Sequence, residues 1–336
     1  MGGAASGVTD SLSTHVSDLQ PLRAGLVVGL VCAIWLSSAA SPLVFVLALL
    51  HGWMSVVVAL AAITALAHLP LLRRSSAAAS FFRWAFNRAF ASVSVRFEPG
   101  SAPGSSGAES SGPASTPGGP GKLYAVHPHG IFCMGFIQLV LHPAMREVTF
   151  CFSSYLYNSP LFLILGKLVG RPDKASKASM TALMRRGADL SLTPGGFEEA
   201  TLTSGGGAER VYVKKRAGFL KYCLEHGLSV CPVYAFGEKQ LYANAQGCWA
   251  LRHWLNGFGV PTIFPFGRRC FPLVPRPKPL LVVVGSPLHL AHVPHPTPAQ
   301  VAAAHGEYIA ALTALFERHK AEAYGEEASG LSLELW

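Results

Sequence analysis

Between Ala24 and Leu72 the chain has no Lys, Arg, Asp or Glu. A stretch of this length can hold two helices of about 20 apolar residues, the number that crosses a hydrocarbon core. Residues 23–74 are therefore expected to form a transmembrane hairpin, turning near Ser41-Pro42 or near His51-Gly52-Trp53, with one re-entrant segment as the alternative. A cleaved signal peptide fits poorly, because the apolar run starts only at residue 24, lacks a basic leader and is too long. Arg23 lies at one end, and Arg73, Arg74, Arg83 and Arg88 lie beyond the other. Basic flanks face the cytosol, so the tail 1–22 and everything after the hairpin are expected on that side. Further on, Phe82, Phe86 and Phe90 recur at every fourth position with Ala85 and Ala89, while Arg83 and Asn87 lie opposite. The spacing predicts a helix over 80–94, within an amphipathic segment 75–98 that sets its aromatics in the bilayer boundary. A core helix of the soluble domain is the competing expectation.

Every residue of 99–121 except Glu109 is Pro, Gly, Ser, Ala or Thr. Such a segment buries too little apolar surface to offset chain entropy, so a disordered tether is expected. It holds no phosphate loop, since Gly121-Lys122 is followed by Leu123 instead of Ser or Thr. The rest, 122–336, reads as one domain. Apolar strands at Leu123–Val126, Val148–Phe152, Asp189–Thr193, Leu228–Phe236 and Pro279–Gly285 alternate with helices. One helix runs Lys177–Arg186 and a second carries Phe219, Leu220, Cys223 and Leu224; Gly187 and Gly227 close them. Ser159–Val169 is too short to span a bilayer and is either a packed helix or a segment dipping into the membrane. This alternation specifies an α/β fold with a mostly parallel sheet covered by helices.

Three polar motifs each follow a strand: His127-Pro128-His129-Gly130, Pro194-Gly195-Gly196-Phe197-Glu198-Glu199 and Phe236-Gly237-Glu238. Ligands of open α/β sheets bind outside the carboxyl ends of strands, so the three motifs are expected to converge on one site. Half of the 336 residues are hydrophobic and only 13% are charged, against about 25% in ordinary soluble domains, which fits membrane attachment. The net charge of +9 suits anionic headgroups or a phosphate-bearing substrate; beside so long an apolar stretch, nucleic acid is not an expected partner. Seven cysteines without a CxxC pair suit reduced thiols in a cytosol-facing domain. His127-x-His129 has no evident third ligand, so no metal is expected.

With the run Arg216-Ala217-Gly218-Phe219-Leu220-Lys221 placed before the third motif, these blocks resemble, in order and interval, the diacylglycerol acyltransferase 2 family. That family includes monoacylglycerol and wax-alcohol acyltransferases, and the similarity covers residues 122–320. It implies a glycerolipid-acyltransferase-like fold that transfers an acyl group from acyl-CoA, a co-substrate, to a hydroxyl acceptor without a cofactor. Such chemistry needs a base, donors for a tetrahedral oxyanion and an apolar channel. His129 is the expected base and His127 its orienting neighbour. Many glycerolipid acyltransferases place an Asp five residues after the histidine; here Phe132 and Met134 stand at those positions. Glu199 is therefore the leading carboxylate and Glu198 the second, with helix capping as the competing role for both.

Substrate contacts are expected from Pro128, Gly130, Gly195, Gly196, Glu198, Arg216, Gly218, Phe219, Lys221, Glu238 and Arg268. The glycine amides would serve the oxyanion, and Arg216, beside Lys214 and Lys215, would meet CoA phosphates. Phosphate-recognising relatives carry an arginine near Glu198, whose negative charge here favours a neutral acceptor. Ser286, where a glutamate is common, and the lack of a Tyr-Phe-Pro block before His127 imply altered specificity. Cys133 is expected to be core. The resemblance implies a membrane enzyme of the endoplasmic reticulum, multi-pass with both termini cytosolic and with access to lipid droplets, that forms triacylglycerol from diacylglycerol. Monoacylglycerol or fatty-alcohol acceptors, a catalytically silent lipid-droplet or membrane scaffold, and homo-oligomerisation remain open alternatives.

Overall fold

The computed structural model describes residues 20–104, 121–203, 208–257 and 262–336. Most of the expected N-terminal tail and of the tether therefore lie outside the described residues. The first three helices are α1 (Gln20–Leu50), α2 (Met54–His68) and α3 (Ser76–Ala89). Pro42 stays inside α1, and the chain turns at His51-Gly52-Trp53 with Gly52 at φ +69°. The stretch Gln20–Ser38 is long and apolar enough to cross a membrane by length and composition. The 15 residues of α2 reach about 22 Å at 1.5 Å per residue, short of the roughly 30 Å hydrocarbon core. Among the described residues, helix length thus supports one candidate span where two were expected. α1 also does not stand apart from the domain, because Ala24, Val28 and Cys32 are buried in its main core.

Ser75 caps α3 by accepting the Ala78 amide. The helix stops at Ala89, short of Ser94, because Val93 and Val95 alternate inward as part of strand β1 (Ser92–Phe97). Its Phe86 and Phe90 are each 1% exposed and belong to the core; Phe81 and Trp84 are the aromatics it turns outward. Of the aromatic stripe, Phe86 and Phe90 thus pack into the core and Phe82 packs against it while partly buried.

The remaining strands are β2 (Lys122–His127), β3 (Thr149–Phe152), β4 (Pro172–Lys174), β5 (Leu190–Leu192), β6 (Glu209–Val211), β7 (Ser229–Phe236), β8 (Ala243–Asn244), β9 (Pro265–Phe266), β10 (Pro279–Val284) and β11 (Leu333–Leu335). Seven form one sheet in the order β1-β10-β7-β2-β5-β3-β4. Within it only the β10–β7 pair is antiparallel. β2 lies between β7 and β5, parallel to both, so the carboxyl ends of the three central strands share one edge. The connecting helices are α4 (Met134–Leu141), α5 (Ser154–Asn158), α6 (Pro160–Val169), α7 (Lys177–Arg185), α8 (Gly196–Leu202), α9 (Gly218–His226), α10 (Glu238–Leu241), α11 (Trp249–Gly257) and α12 (Pro298–Tyr324).

Side-chain alternation along β2 divides the core. Tyr124 and Val126 pack with α1, α3 and α4, while Leu123 and Ala125 pack with α7, α9 and α12. The described start of the expected tether is anchored: Lys122 Nζ donates to the carbonyls of Gly100 and Ala102, and the Tyr124 hydroxyl donates to that of Ser101.

Candidate active site

The loop leaving β2 and entering α4 is held from both sides by a buried carboxylate. Glu199, in the first turn of α8, is 1% exposed. Its Oε2 accepts the His129 amide at 2.7 Å, and its Oε1 accepts the Tyr212 amide at 2.9 Å and His127 Nδ1 at 3.0 Å. Gly195 makes room for it, since a Cβ there would stand 2.3 Å from the carboxyl group. Glu238, beyond β7, is 2% exposed and accepts the amides of Met134 at 2.9 Å and Gly135 at 2.7 Å. Burial pushes its carboxyl up to about 8, against the pull of those two amides. Gly130 turns the loop over it at φ +61°, where a Cβ would fall 2.3 Å from Glu238 Oε1.

The two imidazoles have different surroundings. His127 continues β2, is wholly enclosed, and its Nε2 has no hydrogen-bond partner among the described residues. His129 lies on the wall of a cavity of about 580 Å³. Its Nδ1 is 2.8 Å from the Gly130 carbonyl, to which it donates, so Nε2 keeps its lone pair. Burial holds this imidazole below its usual value, opposed by the Gly130 carbonyl and by Glu199. Cys133 Sγ lies 3.2 Å from both ring nitrogens of His129. Burial drives that thiol well above its ordinary range, and the Glu238 and Glu199 charges add to the effect. The contact makes Cys133 a shield for the imidazole rather than a ready thiolate.

One side of the cavity is apolar, formed by Trp35 of α1 with Phe136, Phe152 and Leu156. Trp35 meets Phe132 and Phe162 edge-on, so the candidate membrane helix reaches the site. The opposite wall carries Pro194, Gly196, Glu198, Lys215 and Arg216, with Gly218 and Phe219 at the foot of α9. Arg216 pairs with Glu198 at 2.5 Å and lies 5.3 Å from the Tyr212 ring. Neither charge of that pair is thus free in the way the sequence implied, and Lys215 is the cation on the wall with no ion-pair partner among the described residues.

Of the expected site residues, His129, Gly196, Glu198, Arg216, Gly218 and Phe219 line the cavity. His127, Pro128, Gly130, Gly195, Glu199 and Glu238 form the layer behind it. Two do not join them. Lys221 reaches Glu225 on its own helix at 3.7 Å, and Arg268 donates to the Pro275 carbonyl in a separate turn. The sequence reading missed Trp35 and Tyr212, and it placed Cys133 in the core without its contact to His129. Only Cys133 had a local signal, four residues after His129, while Trp35 and Tyr212 arrive from distant segments. Among the described residues no group of three or more His, Cys, Asp or Glu is arranged to hold a metal ion.

Residues 121–334 match the family described as diacylglycerol acyltransferase. The chain is 31% identical to 2-acylglycerol O-acyltransferase 1 of Bos taurus over 224 residues, 60% of this chain. It is 32% identical to 2-acylglycerol O-acyltransferase 3 of Homo sapiens over 244 residues, 62% of this chain. In both cases it spans 66% of the relative's own length, just under two thirds. Diacylglycerol O-acyltransferase 2 of Homo sapiens is 35% identical over 146 residues, covering 39% of this chain and 36% of that one. Among solved structures, the 1-acyl-sn-glycerophosphate acyltransferase PlsC of Thermotoga maritima aligns over 72% of this chain and 78% of its own, with 14% identity and a TM-score of 0.41. With the strand-end motifs gathered at one rim and nearly the whole of 122–336 matched, the chain belongs to the diacylglycerol acyltransferase family.

Proposed function

We propose that the chain transfers an acyl group from acyl-CoA to the hydroxyl of a neutral glycerolipid, with His129 as the base. The observation that carries this reading is the His129 imidazole on the cavity wall, its Nδ1 bonded to the Gly130 carbonyl and its backbone gripped by Glu199. With Nδ1 donating to Gly130, a neutral His129 can take the acceptor's proton at Nε2. The freed alkoxide attacks the thioester carbonyl, a tetrahedral oxyanion forms, and the CoA thiolate leaves. The Gly196 amide region at the start of α8 is the candidate oxyanion donor. His127 is a positioning residue, fixed by Glu199 and shut off from the cavity. Lys215 is the candidate contact for CoA phosphates, and Arg216 holds Glu198 in place. The raised Cys133 thiol argues for direct attack over an acyl-cysteine intermediate. No cofactor enters this scheme.

Diacylglycerol and monoacylglycerol acceptors both fit it. Relatives named for 2-acylglycerol and relatives named for diacylglycerol are similar over comparable shares of the chain, 60% and 62% against 59%. The apolar stretch Gln20–Ser38 and the basic residues beyond it support an enzyme attached to the endoplasmic reticulum membrane with its catalytic rim on the cytosolic side. In membranes supplied with labelled acyl-CoA, His129→Ala is expected to lower product about 10²–10⁴-fold with either acceptor. Undiminished product would remove His129 from the reaction. Competition between the two acceptors then identifies which one the protein prefers.

A further inference from the structure

A second cavity, of about 530 Å³, shares no lining residue with the first and lies between the start of α3 and the Pro143–Glu147 turn, with Arg74 and Arg171. Arg74, Arg83, Arg146 and Arg171 line it, with Glu147 the one acidic residue among them. Glu147 engages Arg146 at 3.0 Å and Arg171 at 2.6 Å. Arg74 uses Nε on the Val169 carbonyl, and Arg83 has no hydrogen-bond or ion-pair partner among the described residues. Partial burial and the like charges of Arg146 and Arg83 oppose the charge of Arg74, only partly offset by Glu147. Four guanidinium groups around one carboxylate leave an excess of positive charge that nothing else in the cavity balances.

The serines on its wall, Ser76 and Ser80, belong to the first turns of the 14-residue helix α3, which has no acidic residue in its first turn. Its free amides add to the same positive field. Guanidinium forks and serine hydroxyls around such a field match the oxygens of a phosphate group, which carries about two negative charges as a monoester. The surroundings select a lipid as its bearer. Leu69 and Leu71 just before the cavity and Phe81 and Trp84 on α3 are exposed, which is the apolar and aromatic collar of a headgroup boundary. We propose that the Arg74–Arg83–Arg146–Arg171 cavity binds the phosphate headgroup of an anionic membrane lipid, at a site separate from the acyl-transfer cavity.

The full chain in detergent micelles would be titrated with dioctanoyl phosphatidate, with dioctanoylglycerol as the uncharged control and inorganic phosphate as the free ion. Thermal unfolding is followed in the wild type, in Arg74→Gln/Arg83→Gln and in Arg74→Lys/Arg83→Lys. Phosphatidate is expected to raise the wild-type midpoint, with half-saturation at least tenfold weaker in the glutamine pair and partly kept in the lysine pair. Equal unliganded midpoints would show that the variants are folded. No shift in the wild type, or identical titrations in all three proteins, would overturn the site. An equal shift from inorganic phosphate alone would overturn the lipid as its source. Acyl transfer does not enter the readout, so the outcome stands apart from that of the His129 test.

Discussion

Glu199 and Glu238 flank β2 from the two neighbouring strands, and both carboxylates are almost fully buried. Each accepts main-chain amides just beyond β2, Glu199 in the loop that carries the histidines and Glu238 at the helix that follows it. They differ in what else they grip: Glu199 also holds the ring of His127 and the Tyr212 amide, while among the described residues Glu238 bonds no imidazole and holds only the start of α4. A buried carboxylate at a strand end is thus not a site residue by position alone. What else it grips decides whether its loss disturbs chemistry or folding.

The largest expected separation comes from truncating each. Glu199→Ala releases the His127 ring and the His129 and Tyr212 amides together. It should lower turnover by about 10²-fold, as a misplaced base does, with KM changed less. Glu238→Ala strands the Met134 and Gly135 amides, each at about 1–3 kcal/mol, so its main effect should be a lower unfolding midpoint. Equal turnover losses at unchanged midpoints would erase the distinction between the two corners.

The pH response sharpens the comparison further. Because the Glu238 carboxyl is raised from 4.5 to about 8, the unfolded chain releases its proton first as pH rises. Its contribution to stability is therefore full below about pH 4.5 and is lost as pH climbs toward 8. Glu238→Gln should flatten that part of the stability profile, a slope read from denaturation midpoints at several pH values. In the proposed reaction turnover follows His129 instead. Burial lowers that imidazole from its usual 6.5, so under the proposed role the acid limb of activity should fall below pH 6.5; a limb centred above 6.5 would assign the base elsewhere. The smallest effect is expected from Cys133→Ala, which removes a weak sulfur contact from His129 and should alter turnover less than about tenfold. Loss comparable to His129→Ala, with trapped acyl-cysteine seen by mass spectrometry, would replace direct attack by a two-step transfer.

Much of this was legible in the chain. Short, continuous apolar runs marked the central strands, Gly187 and Gly227 closed their helices at φ +65° and +68°, and the order of motifs pointed to one rim. Elsewhere local pattern misled. The Phe82–Phe90 stripe has the same spacing whether it faces lipid or core, and the apolar run 24–72 does not state how many helices in it are long enough to span. Glu198 and Arg216 each looked available to a ligand because sequence does not reveal that they meet.

Taken alone, the sequence determined the α/β alternation, the place of each motif at a strand end and the family, because these depend on residue type and local spacing. The tertiary structure alone decided which imidazole faces the cavity and which carboxylate holds the ring. Strand order sets β2 between β5 and β7, its side-chain alternation sends His127 inward after Leu123 and Ala125, and the turn at Gly130 leaves His129 on the wall. Those are consequences of long-range pairing, which no window of neighbouring residues contains.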